Sequence, residues 1–308
     1  MLGKTFRARP RHGLTGRSRL GVLLIALLLV ASACGDDDEA TTATTAPGVG
    51  SGNLLADLQA AGTIVGGISN EVPYGFEDAS GLPTGIAPEV AKVILGRIGI
   101  AELTSEVVEF GALIPGLQAG RYDIIAGGMF INPERAQQIL FSDPLFCGAT
   151  AFMVAGGNPF GLSDFASIVG TAAVLGVVAG GVEEGYARDS GIPEDQLSVF
   201  ADPPSVYDAL GAGRVDAVSL DEVTGNANVA SVGANFEVLP GFVPVVNGEE
   251  QLGCGGFGFT DQELRDAFNA QLVIMHSNNE ILPIVAQFGV GASSVAKAAE
   301  LTAEDLSS

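Results

Sequence analysis

The sequence predicts an α/β protein built from two lobes, and three observations support this fold class. Predicted strands and helices alternate along the chain, which is typical of sheets with parallel strands. The segment LQAGRYD at 117–123 returns as LGAGRVD at 210–216, and five identities in seven positions favour two copies of one supersecondary unit over a chance recurrence of a helix-ending glycine. The chain then ends in a helical tail without strands of its own, so this tail must pack on one of the two sheets.

The first unit follows from apolar periodicity and from turn residues. Its predicted elements are a helix at 54–60, a strand at 63–69, a polar and aromatic loop at 70–81, a helix that opens near Pro88, a strand at 103–110, a helix at 113–119 and a strand at 122–126. Gly99 is expected to end the second helix. Gly127 and Gly128 are expected to close the last strand.

The second unit repeats the alternation. Its predicted elements are strands at 172–178, 197–200 and 215–220, with helices at 182–189 and 206–212 between them. A glycine-rich strand at 252–259 follows. Thr260 and Glu263 then have the spacing of a capping box, which predicts a helix with Leu264, Phe268, Leu272 and Met275 on its apolar face.

If the tail packs on the first sheet, the chain crosses between the lobes twice, near 147–155 and 249–256. The first lobe is then predicted to comprise 53–150 and 253–308, and the second lobe 151–252. Cys147 and Cys254 lie at the two crossings. Because paired cysteines in an exported protein more often form a disulfide than two free thiols, we expect a disulfide between them that fastens the hinge.

The N-terminal segment predicts export. Residues 1–33 combine six basic residues, an apolar run at 20–30 and the small residues Ala31-Ser32-Ala33. The apolar run is shorter than the roughly 20 residues of a membrane-spanning helix. The ending before Cys34 resembles the lipobox of bacterial lipoproteins, which implies acylation of Cys34; cleavage elsewhere by an ordinary signal peptidase is the alternative. Residues 34–52 are polar and without periodicity, which predicts a disordered tether between a membrane anchor and the folded part.

Acidic residues outnumber basic residues. The whole sequence has 14 Lys and Arg against 36 Asp and Glu, a formal net charge of −22, and removal of the leader would take away six of the basic residues. This balance argues against nucleic acid as a partner and against a basic patch that binds anionic lipid. It also makes each remaining arginine more conspicuous.

The stretch at 109–135 contains an arginine, Arg135, at an unusual position for a cation. Asn132 followed by Pro133 predicts the start of a helix, which puts Arg135 in the first helical turn. A cation is disfavoured there by about 0.3 to 1 kcal/mol, so Arg135 needs a compensating negative charge. A bound carboxylate would supply it, and an ion pair with Glu134 or Asp143 would do so equally well.

Features of catalytic and metal sites are not evident in the sequence. We find no Ser/His/Asp or Cys/His set, no phosphate-binding glycine loop and no metal-ligand cluster, and we expect no cofactor. His276 falls in a helical pattern and is interpreted as a surface or helix-end residue.

Four segments together carry a family resemblance. GTIVGGISNEVPYGFED, GIAPEVAKVILGRIG, FGALIPGLQAGRYDIIAGGMFINPERAQQILFSDP and GRVDAVSLD resemble the family 3 extracellular solute-binding proteins of ABC importers, over essentially all of 54–288. NEVPYG, EFGALIPGLQAGR and GMFINPER are most similar to the ectoine- and hydroxyectoine-binding members. The resemblance implies a two-lobed periplasmic-binding-protein-like fold of class II type, with the ligand in the cleft between the lobes.

The resemblance also implies roles for individual residues. Arg135 is expected to bind the ligand carboxylate, and Glu71 to face its cationic amidinium. Tyr74, Phe110 and Phe130 are expected to wall the ring, where a cation stacked on aromatic faces gains about 0.5 to 2 kcal/mol; ordinary core packing is their alternative.

Two further features leave the ligand open. Asp221 follows the strand at 215–220, at the position where amino-acid binders of the family keep an acid for the α-amino group. It therefore keeps an amino acid or an opine open as ligand, although it could also pair with the amidinium of ectoine. The amides of Gly180 and Gly181 could approach a carboxylate, or they could form a plain turn.

The expected function is capture of a small zwitterion, ectoine or hydroxyectoine foremost, by a monomeric extracytoplasmic lipoprotein that delivers it to a membrane permease. A polar amino-acid or opine binder is the alternative. A dehydratase-like enzyme on the same fold and a sensor lobe that works with an external receptor are two further hypotheses.

Overall fold

The computed structural model describes residues 53–307, and it confirms the mixed α/β class. The strands are β1 (Thr63–Ile68), β2 (Phe76–Glu77), β3 (Pro83–Thr84), β4 (Glu102–Val107), β5 (Ile124–Phe130), β6 (Leu140–Phe141), β7 (Phe146–Gly148), β8 (Thr150–Ala155), β9 (Leu175–Val178), β10 (Leu197–Phe200), β11 (Ala217–Asp221), β12 (Phe236–Val238), β13 (Val245–Val246), β14 (Glu249–Glu250) and β15 (Gly253–Phe259). The helices are α1 (Leu54–Ala61), α2 (Ile86–Arg97), α3 (Leu113–Gln118), α4 (Pro133–Ala136), α5 (Phe165–Ile168), α6 (Val182–Asp189), α7 (Pro203–Gly211), α8 (Glu222–Val232), α9 (Gln262–Ser277), α10 (Leu282–Val285) and α11 (Ala292–Ala298). None of these helices is long and apolar enough to cross a membrane.

Two sheets organise the chain, and we call each sheet with its helices a lobe. The first sheet has the order β4-β1-β5-β15-β6, with β7 also paired to β15, and the second has the order β10-β9-β11-β8-β12. β4, β1 and β5 are parallel, as are β10, β9 and β11. The expectation of parallel sheets was incomplete, because β15 runs antiparallel to β5 and β8 runs antiparallel to β11. The chain enters the second sheet through β8 and returns to the first sheet through β15.

The sequence repeat forms the same structure in both lobes. Each copy joins a helix to a parallel strand, α3 to β5 and α7 to β11, through a glycine with a φ of 68° or 66°. The aspartate at the end of each copy accepts a hydrogen bond from the neighbouring strand segment: Val65 N donates to Asp123 Oδ2 at 3.0 Å, and Val174 N donates to Asp216 Oδ2 at 2.8 Å. The five identities therefore include, in each lobe, a glycine in the left-handed conformation that ends the helix and an aspartate that hydrogen-bonds to the neighbouring strand.

The prediction for β5 was wrong at both ends. The strand begins at Ile124 and continues through Gly127 and Gly128 to Phe130. The glycines do not close it, because Gly255 and Gly256 of β15 pair with its last two residues and form the same sheet. A Cβ atom on Gly255 would lie within 2.5 Å of the Gly128 carbonyl, so the close approach of these strands requires glycine.

The C-terminal tail packs on the first lobe. The predicted apolar face of α9 is completely buried in the same core as β1 and α2. The cap was predicted incorrectly: Asp261, rather than Thr260, is the N-cap, and its side chain accepts a hydrogen bond from Leu264 N at 2.8 Å. The aspartate is the better N-cap because the positive end of the helix dipole also stabilises its negative charge. Helix α8, which begins directly after Asp221, was not predicted.

The disulfide lies where the chain crosses between the sheets. Cys147 of β7 lies opposite Cys254 of β15 in an antiparallel pair, and the two form a disulfide with a sequence separation of 107 residues. The chain enters the second sheet at β8 and returns to the first at β15. The disulfide therefore joins the two segments through which the second lobe is attached. The predicted signal peptide at 1–33, the tether at 34–52 and Cys34 lie outside the described residues.

Candidate functional site

A cavity between the two sheets brings together all six side chains predicted to bind the ligand. It contains about 630 Å³ of space between atoms, its mouth to solvent included. Its lining from the first lobe includes Glu71, Tyr74, Phe110, Phe130 and Arg135, and its lining from the second lobe includes Val178, Gly181, Val182, Glu183, Tyr207, Ser219 and Asp221. Two lobes thus contribute opposite walls to one space.

Strand polarity explains this convergence. Glu71 and Tyr74 follow β1, Phe110 follows β4, and Phe130 ends β5. Because β4, β1 and β5 are parallel, their carboxyl ends lie at one edge of the first sheet, where ligands of open α/β sheets bind. In the second lobe, β11 ends at Asp221 and the turn after β9 leads to Glu183, so the same rule supplies the opposite wall.

Arg135 is held at the start of α4 by the predicted cap. Asn132 Oδ1 accepts a hydrogen bond from Arg135 N at 2.8 Å. The guanidinium donates to two backbone carbonyls, from Nη1 to Phe130 O at 2.6 Å and from Nη2 to Gly180 O at 2.9 Å. Its Cζ lies 5.3 Å from the centre of the Phe110 ring. Arg135 therefore touches both lobes.

The positive charge of Arg135 has no ion-pair partner among the described residues. The side chain is only 7% exposed, and burial lowers the pKa of the guanidinium from its usual value. The ion pair with Glu134 or Asp143 that the sequence left open is not formed, since Asp143 instead bonds to Asn269 Nδ2 at 3.0 Å. A buried cation without a paired anion is costly, and a ligand carboxylate would relieve this cost.

Three carboxyl groups line the same cavity as Arg135. Burial, reinforced by the charges of Asp221 and Glu183, raises the pKa of Glu71 to about 8. Burial also raises the pKa of Glu183 to about 7. Both glutamates are partly exposed, and both line the cavity. Burial raises the pKa of Asp221 as well, although its hydrogen bonds from Thr224 and Tyr74 oppose this shift.

Asp221 differs from the two glutamates because its oxygens already have partners. Tyr74 Oη donates to Asp221 Oδ1 at 2.6 Å, and Thr224 N donates to the same oxygen at 3.0 Å. Thr224 Oγ1 donates to Asp221 Oδ2 at 2.6 Å. Asp221 is thus the N-cap of α8 and a hydrogen-bond partner of the opposite lobe.

The three predicted aromatic residues have different surroundings. The Tyr74 ring stacks on Phe146, with centroids 4.8 Å apart and an angle of 16° between planes. Phe130 lies 6.1 Å from the same Phe146 ring in a tilted arrangement. Phe110 lies beneath Arg135. All three also line the cavity, so core packing and cavity lining, which the sequence posed as alternatives, occur together.

Gly180 and Gly181 form a closed turn. Gly181 N donates to Val178 O at 3.0 Å, and Gly180 N donates to Glu184 Oε2 at 3.0 Å. Their amides are already bonded within the turn, and Gly180 contributes its carbonyl to Arg135 instead. This geometry favours the plain-turn alternative.

Three polar residues of the cavity were not predicted from the sequence. Glu183 is in the first turn of α6, Tyr207 is in α7, and Ser219 is in β11. Ser219 Oγ is buried and has no hydrogen-bond partner among the described residues, so a ligand group could satisfy it. Glu183 had a detectable signal, since it follows the strand-to-helix turn at Gly180-Gly181; nothing in the sequence distinguishes Tyr207 or Ser219.

His276 lies away from the cavity. It is in the last turn of α9, with Nε2 at 3.0 Å from Pro144 O. Burial lowers its pKa. Its position agrees with the interpretation as a helix-end residue.

Comparisons with known proteins place the chain in a family. A model of bacterial extracellular solute-binding proteins, family 3, matches residues 64–291. A probable amino-acid ABC transporter periplasmic-binding protein of Sinorhizobium fredii is 29% identical over 259 residues, which cover 82% of this chain and 86% of that protein. The lysine/arginine/ornithine-binding periplasmic protein of Escherichia coli is 29% identical over 217 residues, which cover 68% of this chain and 80% of that protein.

A solved structure extends the similarity to the whole two-lobed fold. EhuB in complex with hydroxyectoine is 36% identical and aligns with a TM-score of 0.76, over 83% of this chain and 98% of that chain. These relatives are transport proteins that bind solutes outside the cytoplasm. The chain belongs to the bacterial extracellular solute-binding proteins, family 3, and it is the solute-binding protein of an amino-acid-type ABC importer.

Proposed function

We propose that this protein captures ectoine, hydroxyectoine or a similar small cyclic zwitterion and delivers it to the importer's permease. The observation that carries the proposal is the cavity itself, in which one unpaired guanidinium, two open carboxylates and several aromatic rings meet between the lobes. A cyclic zwitterion has a carboxylate for the guanidinium, a cationic group for the carboxylates and a ring for the aromatic side chains. The similarity to EhuB, which was solved with hydroxyectoine, supports the same class of ligand.

Arg135 is proposed to bind the ligand carboxylate. Two of its five N–H donors are used by backbone carbonyls, and an arginine can present the others to a carboxylate in a charge-assisted pair. The Phe110 ring beneath the guanidinium fixes its plane. Arg135 therefore orients one end of the ligand.

Glu71 and the aromatic rings are proposed to hold the cationic end. A delocalised amidinium is attracted to the faces of Tyr74, Phe110 and Phe130, and Glu71 provides a carboxylate without a side-chain hydrogen-bond partner among residues 53–307. Glu183 provides a second such carboxylate from the opposite lobe. The ligand thus brings together groups from both lobes, which couples binding to closure of the cavity.

A cationic or polar amino acid is the second candidate ligand, and an opine is a related one. Three carboxyl groups against one guanidinium would suit a ligand with an excess positive charge. The lysine/arginine/ornithine-binding relative is consistent with that choice.

The mode of attachment rests on the sequence alone. We propose that Cys34 is lipidated and that 34–52 tethers a monomeric binding domain to the outer face of the membrane. A cysteine that carries several acyl chains would give stable anchoring without a basic patch.

Calorimetric titration of the purified domain is expected to rank ectoine and hydroxyectoine above glycine betaine and above a panel of amino acids. The reason is that a cyclic amidinium can both stack on the rings and donate to Glu71. The amino-acid panel, with arginine, lysine, histidine and glutamine, is the internal control. Tighter binding of any of these amino acids than of ectoine would contradict the proposal and favour the second candidate.

The affinity for ectoine is expected to rise as the pH passes through about 7 and about 8, the pKa values of Glu183 and Glu71. A ligand cation favours the ionised carboxylates and lowers both pKa values, so binding releases protons. The complex then holds fewer protons than the free protein, and higher pH favours it until both groups are ionised without ligand. Calorimetry across this range measures the effect.

The variant Glu183→Gln is expected to remove the lower step of this profile. Glu184→Gln is the matched control, because Glu184 is the next acid of the same helix and does not line the cavity. An affinity that stays constant or falls with rising pH would show that no ligand cation faces these carboxylates.

A further inference from the structure

Asp221 is a buried carboxylate in the ligand cavity that offers little to a ligand. It is 5% exposed. A carboxylate has about four acceptor positions, and three hydrogen bonds from Tyr74 and Thr224 already reach its two oxygens. Two of these bonds are at 2.6 Å, the short distance typical of a hydroxyl that donates to an ionised acceptor.

Tyr74 is the partner of Asp221 that comes from the opposite lobe. Thr224 belongs to the same lobe as Asp221 and caps the same helix. Tyr74 comes from the loop after β1 in the opposite lobe, is 3% exposed and is fixed by its stack on Phe146. Its hydroxyl therefore occupies an acceptor position on Asp221 Oδ1 from the side of the opposite lobe.

The other two carboxylates in the cavity keep free acceptor positions, and the bond that Glu183 accepts comes from its own backbone N–H. Neither Glu71 nor Glu183 accepts a hydrogen bond from another side chain among the described residues, and both line the cavity. A primary ammonium group directs three N–H donors to three sides, and its burial is unfavourable when any side lacks an acceptor. A ring amidinium directs two N–H donors to two sides, where the carboxylates of Glu71 and Glu183 can accept them.

We infer that Tyr74 is a specificity-determining residue, which closes Asp221 to the ligand and so excludes zwitterions with a primary ammonium in favour of those with a ring amidinium or an alkylated nitrogen. This inference deepens the proposed function and rests on it for the location of the ligand. It assigns Asp221 to the contact between lobes rather than to the ligand.

Ectoine and its ring-opened form provide a matched pair of ligands. Nγ-acetyl-diaminobutyrate is ectoine with the ring opened by water, and it has the same carboxylate but a primary α-ammonium. The wild-type protein is expected to bind ectoine at least about 100-fold more tightly than this compound, because a site whose acceptors do not match the ligand's donors rejects it strongly. In Tyr74→Phe, the preference is expected to fall about tenfold or more, the effect of one hydrogen bond to a charged group.

Tyr122→Phe is the matched control. It removes a buried tyrosine hydroxyl of the same lobe that donates to Leu113 O rather than to Asp221, and Tyr122 does not line the cavity, so the preference between the two ligands should remain as in the wild type. Thermal unfolding of each variant checks the fold. The wild-type ligand ratio tests the inference even if a variant does not fold.

The outcomes separate this inference from the proposed function. If the wild type binds ectoine and the ring-opened compound equally, or if Tyr74→Phe changes both affinities by the same factor, the inference is wrong while the proposed function stands. If the wild type binds glycine betaine, whose nitrogen is fully alkylated, and rejects ectoine and primary ammonium compounds alike, the proposed ligand is wrong while the role of Tyr74 is supported.

Discussion

Replacement of Arg135 by alanine is expected to weaken ligand binding by about 30-fold or more, which corresponds to about 2 kcal/mol. The guanidinium is almost fully buried, has no ion-pair partner among residues 53–307 and lies over the Phe110 ring. A ligand carboxylate that is moved from water into this cavity would lose its only cationic partner there. The loss of affinity is large because the ligand carboxylate would then be buried without a charged partner.

Arg135→Lys tests whether the effect depends on charge alone. A lysine keeps the positive charge but cannot make the planar, forked contact or stack on Phe110 in the same way. We therefore expect this variant to recover only part of the affinity. Calorimetry with ectoine measures both variants, and thermal unfolding of the ligand-free proteins measures how much stability the bonds to Phe130 O and Gly180 O contribute.

Arg214 provides the matched control for Arg135. Its Cζ lies 5.8 Å from the centre of the Phe200 ring, so it shares the cation–π contact, but it does not line the cavity. Arg214→Ala should leave the affinity for ectoine unchanged. An unchanged affinity in Arg135→Ala as well would remove Arg135 from the site.

The parts of the fold that were predicted well depend on local sequence. The two copies of the repeat carry their own helix endings and docking aspartates, so the copies at 117–123 and 210–216 could be recognised without knowledge of their neighbours. The N-cap at Asn132 is equally local. The same holds for the apolar face of α9, which needs only the helical period.

The error in the cap of α9 was a choice between two adjacent residues, whereas the other errors concern contacts between distant parts of the chain. β5 was expected to stop at its glycines, and the reason that it continues is β15, more than 120 positions later in the sequence. The hydrogen bond from Tyr74 to Asp221 spans 147 positions. No periodicity or spacing encodes such a pair, so the sequence indicated both residues as cavity candidates and could not indicate that one of them closes the other.

Removal of the disulfide is expected to lower the free energy of unfolding by about 2 to 4 kcal/mol. Its two cysteines are separated by 107 residues, and the loop between them contains every strand of the second sheet. In the unfolded chain the bond restricts this long loop, and the loss of the restriction favours unfolding in the chain-entropy model. Urea denaturation of the Cys147→Ala/Cys254→Ala double variant, compared with the wild type, measures the change.

The same variant tests where the disulfide acts. Neither cysteine lines the cavity, so the affinity of the folded double variant for ectoine should stay close to that of the wild type while its stability falls. A reducing agent should destabilise the wild type and leave the double variant unaffected, which separates the bond from side effects of the substitutions. Equal stabilities of the two proteins would show that the native contacts of β7 and β15 hold the crossings without the covalent bond. A loss of ligand affinity at full stability would instead mean that the disulfide sets the relation between the two walls of the cavity.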